Sequence, residues 1–148
     1  MKKKIIALTL AALMCASLTA CDFVPNSNSV SVSEGQSAQI PDLTGQWKQV
    51  NSKSDDSWQA AVIEGDVMEI YWVSDNGDTK SLYWAGSFVA PTTADEPYTF
   101  DSVNDKSKTD NALMASGDDT KTFTYENGQL SYEASALGTT STIRLEKQ

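Results

Sequence analysis

The sequence predicts an all-β fold, a small antiparallel meander barrel of about eight or nine strands, with a β-sandwich as the alternative. Turn signals such as Gly65-Asp66 and Asn127-Gly128 are mostly about 9–12 residues apart in residues 42–148. The segments between them alternate apolar and polar side chains with the period of two that is typical of strands. After the N-terminus, no helical pattern is longer than about two turns.

The N-terminal segment carries the pattern of an export signal. Lys2, Lys3 and Lys4 precede a run of 14 mostly apolar residues, Ile5 to Leu18. This run is shorter than the roughly 20 residues that a membrane-spanning helix needs. The run ends in Leu18-Thr19-Ala20-Cys21, which resembles the lipobox of bacterial lipoprotein signal peptides.

That resemblance implies that residues 1–20 are removed and that Cys21 receives a diacylglycerol group. The protein would then be exported and anchored to the outer face of the cell membrane, because two acyl chains make a stable anchor. Ordinary secretion, with an incidental cysteine at the cleavage site, is the alternative. Cys15 leaves with the signal, so the mature chain forms no internal disulfide.

Residues 21–41 are rich in Ser, Asn, Gln and Pro, which predicts a lipidated, flexible tether. Residues 42–148 are enough for one folded domain. The chain has 11 basic and 20 acidic residues, a net charge of −9. Removing the three signal lysines makes the mature chain more acidic still, which opposes binding to nucleic acid.

A three-stranded meander from Trp58 to Phe88 is the predicted centre of the domain. With Gly65-Asp66 as a two-residue turn, Ile63 faces Met68 and Ala61 faces Ile70, which gives one apolar side. The opposite side is also partly apolar, as in a strand that is covered on both faces or lines a cavity.

The second hairpin of this meander has two plausible registers. A two-residue loop at Asn76-Gly77 pairs Tyr71 with Leu82, whereas a longer loop brings Ile70 near Trp84. One residue of slip exchanges the two faces of a strand, so the sequence leaves the choice open.

Further strands are predicted on both sides of this meander. Residues 43–50 read as the first strand, and residues 98–103 as a strand followed by a polar segment with room for one helical turn. A hairpin over 120–135, with Asn127-Gly128 as a type I′ turn, pairs Phe123 with Tyr132 and Tyr125 with Leu130. Residues 140–146 form the last strand, with Ile143 and Leu145 facing inward.

The first strand contains Leu43-Thr44-Gly45-Gln46-Trp47, which resembles the Gly-x-Trp opening of lipocalins and the wider calycin superfamily. In that family a basic residue on the last strand packs over this tryptophan and closes the barrel. The resemblance implies that Gly45, Trp47 and Arg144, the one arginine of the chain, form the closure. The whole chain also resembles small lipoproteins of bacteria and their phages, a likeness that implies no particular activity.

The residue inventory argues against common catalytic chemistries. The chain has no histidine, its one mature cysteine is expected to be lipidated, and its glycines form no nucleotide-binding motif. We therefore expect no catalytic residue, no metal site and no cofactor. Two alternatives rest on carboxylates: calcium at Asp75–Asp78 or Asp118-Asp119, and a hydrolase pair such as Glu69 and Glu133.

Aromatic residues of the meander are the remaining candidates for a function. They are Trp58, Tyr71, Trp72, Tyr83 and Trp84. If they line a cavity, they would bind a small apolar or ring-shaped ligand. If they are exposed, they would form a patch that binds an envelope protein. Packing of the core would also account for these aromatic residues. The sequence thus predicts a membrane-tethered, non-enzymatic binding module, with a protein-interaction module and an envelope hydrolase as alternatives.

Overall fold

A computed structural model describes residues 39–136 and 138–148, which form a closed antiparallel barrel. Each strand pairs with the next, and the last pairs with the first. The strands are β1 (Gly45–Gln49), β2 (Trp58–Glu64), β3 (Val67–Ser74), β4 (Thr79–Ser87), β5 (Tyr98–Asn104), β6 (Thr120–Glu126), β7 (Gln129–Ala136) and β8 (Thr139–Lys147). The predicted barrel is confirmed, and the sandwich alternative is wrong because closure leaves one continuous sheet. The signal segment, Cys21 and most of the tether lie outside the described residues.

Alternation along each strand sends every second side chain into the barrel. On β2, for example, Gln59, Ala61 and Ile63 are buried while Val62 and Glu64 are exposed. The inward apolar residues meet in one core that includes members of all eight strands. Burying such side chains contributes roughly 1.5–3 kcal/mol each before the entropy cost of folding is subtracted.

Two hairpins have the registers that their turns predict. Ile63 pairs with Met68 and Ala61 with Ile70 across Gly65-Asp66. Across Asn127-Gly128 the predicted pairs of β6 and β7 form as well. Both turns contain a glycine with positive φ, the backbone conformation that tight hairpin turns require. The predicted helical turn is also present, as α1 (Lys106–Thr109).

The hairpin of β3 and β4 contains both registers that the sequence allowed. Tyr71 pairs with Leu82 in one half, and Ile70 pairs with Trp84 in the other. The register shifts by one residue at Tyr83, which is a β-bulge. As a result, the consecutive residues Tyr83 and Trp84 are both buried in the core.

The two ends of the barrel carry different connections. At the first, which we call the closed end, lie the tight turns after β2 and β6 and the 88–97 loop, where the Phe88 amide donates to the Asp66 carbonyl at 2.8 Å. At the second, the open end, lie the 50–57 loop, the single-turn 3₁₀ helix Asp75–Gly77, the 105–119 segment with α1, and the β7–β8 turn. In the described part of the chain, no helix is long and apolar enough to cross a membrane.

Candidate functional site

The five candidate aromatic residues do not form one surface. Tyr71 lies on the outer face of the barrel, and Trp58 lies near the open end, where it borders two concavities, one at that end and one on the outer face. Trp72, Tyr83 and Trp84 pack in the interior. Alternation along β3 separates Tyr71 from Trp72, and the bulge turns the neighbouring side chains of Tyr83 and Trp84 both inward.

A continuous column of aromatic rings fills most of the interior. Its members, from the closed end to the open end, are Phe88, Phe100, Phe123, Tyr132, Tyr83 and Trp72. Successive ring centroids are 4.7 to 6.4 Å apart, the range in which aromatic pairs attract one another. In the described part of the chain, these rings occupy the space in which a deep calyx for a long acyl chain would lie.

The column stops short of the open end, and a cavity of about 570 Å³ lies above it. We call this cavity the mouth pocket. Its walls are small side chains at the ends of β7 and β8, and its rim is the 50–57 loop. Its lining includes Trp58, Trp72, Ala134, Ala136, Ser141 and Ile143. The volume falls within the range of about 300–1,000 Å³ that is typical of small-molecule sites.

Below the mouth pocket lies a buried polar pair, Gln59 and Tyr132. Gln59 is fully buried, and its side-chain oxygen accepts a hydrogen bond from the Tyr132 hydroxyl. Burial raises the pKa of Tyr132 well above its usual value, so this hydroxyl stays protonated and donates. The Gln59 side-chain nitrogen, in contrast, has no partner among the described residues.

A second concavity, which we call the outer groove, lies on the outer face of β1 to β4 and has a volume of about 560 Å³. It forms because Ala60 is a small residue between two long neighbours, Lys48 and Tyr71. The Lys48 ammonium lies 4.1 Å from the ring centroid of Trp58, and Lys80 lines the same groove. The groove thus combines aromatic surface with two cations.

Glu69 and Glu133 do not converge. Both occupy outward positions, on β3 and β7, and each has its own partner. Glu69 accepts hydrogen bonds from Lys108 at 2.6 Å and from Tyr71. These two hydrogen bonds lower the pKa of Glu69, while burial and the Glu69 carboxylate raise that of Tyr71 to about 12. The group secures α1 to the barrel wall, and Glu69 and Glu133 do not form the predicted pair.

The expected packing of Arg144 over Trp47 is wrong. Trp47 faces inward, is 2 % exposed and donates its indole N–H to the Leu43 carbonyl at 2.9 Å. Arg144 lies between the buried Ile143 and Leu145 on β8, so alternation places it on the outer face. Gly45 opens β1 with a φ of +136°, a conformation that side chains other than glycine rarely adopt.

Acidic turns at the open end are occupied by hydrogen bonds of the protein itself. Asp75 accepts from the Thr79 hydroxyl at 2.7 Å, and Asp118 pairs with Lys121 at 2.9 Å. No group of three or more potential metal ligands gathers in residues 39–136 and 138–148.

Sequence reasoning missed two buried polar residues, Gln59 and Lys121. Lys121 faces inward and is 7 % exposed, with its ammonium 5.3 Å from the ring centroids of both Tyr83 and Trp84. A signal for Gln59 existed, because the pairing across Gly65-Asp66 already puts it on the same face as Ala61 and Ile63. Its polarity argued against burial, and only the closed barrel shows that it lies inside.

Comparison with known proteins adds no relative: no family model, no curated protein and no solved structure matches the chain.

Proposed function

We propose that this protein is an exported, lipid-anchored binding module that holds a small ligand with an apolar ring in its mouth pocket. One observation carries the proposal. The aromatic column extends from the closed end to Trp72, and a cavity of about 570 Å³ lies beyond it at the open end, beside small side chains of β7 and β8. An indole at the floor of such a pocket favours a flat or ring-shaped partner.

The anchor part of the proposal rests on the sequence around Cys21. Lipidation there would hold the barrel at the outer face of the cell membrane, with residues 22–41 as the spacer. Replacing Cys21 with Ala should release the protein from the membrane fraction and abolish incorporation of a labelled fatty acid. A variant that remains membrane-bound and labelled would contradict the anchor.

The ligand part can be tested with residues 22–148, because β1 and β8 pair with each other and the described core closes within this segment. N-phenyl-1-naphthylamine, an uncharged aromatic probe, should bind with one-site saturation and increased emission. The pocket variant Ala136→Leu should abolish this binding while changing the free energy of unfolding by less than about 0.5 kcal/mol, as is usual at exposed positions.

The matched control is Ala60→Leu, which adds the same atoms to the outer groove. If Ala60→Leu abolishes probe binding and Ala136→Leu does not, the mouth pocket is not the site. The alternative function, a protein-interaction module, would then be favoured, since the outer groove carries Trp58 and Tyr71 beside Lys48 and Lys80. Lysines on an aromatic surface suit an acidic partner segment.

A further inference from the structure

The Gln59 side-chain amide has a donor that the folded chain does not use. Its Nε2 group is buried without a hydrogen-bond partner among the described residues. Leaving a buried polar group unpaired costs free energy, so native proteins rarely retain one without a role. The rest of Gln59 is held firmly: its backbone N–H donates to the Gln49 side-chain oxygen at 2.8 Å, and its own side-chain oxygen accepts from Tyr132.

The orientation of this amide follows from the hydrogen-bond inventory. In the arrangement described, the Tyr132 hydroxyl donates its hydrogen to Gln59 and only one group stays unpaired. Turning the amide over would make its nitrogen donate to the Tyr132 hydroxyl oxygen and leave the hydroxyl hydrogen without this acceptor. The amide oxygen and the hydroxyl hydrogen would then both be unpaired. The arrangement with a free N–H therefore satisfies more groups.

Gln59 does not itself line the mouth pocket, but its neighbours do. Two residues beside Gln59 line that pocket. They are Gln49, which accepts the hydrogen bond from the Gln59 backbone, and Trp72, which is the cross-strand neighbour of Gln59. On the opposite wall, Tyr132 is two residues from the pocket residue Ala134 and pairs with the pocket residue Ile143. Trp72 is only partly buried, makes an edge-to-face contact with Tyr83 and lines the pocket beside Gln59.

We propose that Gln59 determines the specificity of the mouth pocket by donating its free side-chain N–H to an acceptor oxygen carried by the ring of the ligand. This inference rests on the proposed function of the pocket and adds the ligand class: a ring compound with a carbonyl or similar acceptor. The Trp72 indole moves aside as the oxygen enters and then packs against the ring.

Acetophenone and cumene test this inference, because they have nearly the same shape and differ by an oxygen in place of a methyl group. A pocket without a donor prefers cumene, since acetophenone must give up a hydrogen bond to water on entering. A pocket with the Gln59 donor prefers acetophenone, because the hydrogen bond also removes the penalty of the unpaired amide. We expect the ratio of the two dissociation constants to differ by about tenfold between these cases.

The matched protein variant is the double substitution Gln59→Met with Tyr132→Phe. Replacing both partners with apolar groups of similar shape leaves no buried group unpaired, so this variant should fold as stably as the parent or better. It should bind both compounds and prefer cumene. In the parent protein, acetophenone but not cumene should shift the amide resonance of the Gln59 side chain, which is assigned by its loss in the variant.

The outcomes separate the two proposals. If neither compound binds the parent chain, the proposed function of the mouth pocket fails. If both bind but the variant keeps the preference of the parent, rim groups or a bound water satisfy the oxygen, and the role of Gln59 is overturned while the pocket stands. A preference that reverses in the variant, together with the resonance shift, establishes the donor.

Discussion

The closed end and the open end of the barrel are built from the same alternating strands, but their inward-facing side chains differ in size. At the closed end, Trp47, Phe88 and Phe100 face inward and are buried. At the open end, the inward positions of β7 and β8 hold residues such as Ala134, Ala136 and Ser141. The binary pattern is therefore the same at both ends, and the small inward residues of β7 and β8 help to leave a pocket at the open end.

This difference also separates two roles of the tryptophans. Trp47 is enclosed by the core and donates its indole N–H to a backbone carbonyl. Trp72 terminates the aromatic column and lines the mouth pocket. A residue at the closed end should thus contribute chiefly to stability, and one at the open end chiefly to binding.

Replacing these tryptophans singly with alanine gives the largest expected contrast. Trp47→Ala should lower the free energy of unfolding by about 3–5 kcal/mol, because it leaves a cavity in a packed region. Trp72→Ala should lower it by roughly 1–2 kcal/mol, since less of its surface is removed from water on folding. Urea denaturation of the 22–148 chain at neutral pH measures both values. Similar losses for the two variants would contradict the assignment of a filled and an unfilled end.

A smaller effect is expected from adding one methyl group near the closed end, at Gly86. A Cβ atom there would lie 2.5 Å from both the Ser102 hydroxyl and the Val103 carbonyl, and the latter is backbone that cannot turn aside. Gly86→Ala should therefore cost about 1–3 kcal/mol. It also strains the junction of β4 with β5, which is only two residue pairs long.

Gly117→Ala is the control for Gly86→Ala, because nothing lies within 4 Å of the added atom. Thermal unfolding should show this control unchanged or slightly stabilised. If Gly86→Ala is equally harmless, the closed end is not as tightly packed as the contacts indicate. Together with Ala136→Leu, these substitutions compare the tolerance of the two ends toward added volume.

Local turn chemistry explains which parts of the fold the sequence predicted. Gly65-Asp66 and Asn127-Gly128 each define a tight turn, and a tight turn sets the register of the strands on either side. The β3–β4 hairpin has a longer connection and a bulge, so its register follows from closing the barrel rather than from its turn. Both candidate registers were correct, each for one half of the hairpin.

The candidate site was less predictable for the same reason. Whether Tyr71 or Trp72 faces inward depends on which alternate residues of β3 point into the barrel. The bulge interrupts this alternation on β4, so that Tyr83 and Trp84 are both buried. The packing of Arg144 over Trp47 came from a family resemblance, and alternation on β8 contradicts it. The mouth pocket depends on small inward residues. Such residues give no signal in a sequence, because their effect is the space that their side chains leave unfilled.

The smallest expected effect concerns the 105–119 segment, which meets the barrel wall beside Lys121. Hydrogen bonds from the Ser116 hydroxyl and then from the Lys121 ammonium lower the pKa of Asp118. A carboxylate with a lowered folded-state pKa stabilises the fold above its unfolded-state pKa and loses that contribution as the pH falls. Part of the stability should thus disappear below about pH 4, where an ordinary aspartate becomes protonated.

Asp118→Asn should remove that part of the pH dependence and lower the free energy of unfolding at neutral pH by roughly 0.2–1 kcal/mol, the range for exposed pairs, because the Asp118 side chain is 60 % exposed. Asp110→Asn makes the same charge change on an exposed carboxylate of the same segment, for which the described residues show no ion pair. Urea denaturation from pH 3 to pH 7 compares the two variants. Equal slopes for both would mean that net charge, and not the ion pair with the buried Lys121, holds this segment against the barrel. Unequal slopes would show that the ion pair of Asp118 with the buried Lys121 stabilises the side wall between β4 and β6. The closed end, in contrast, is stabilised by packed aromatic rings.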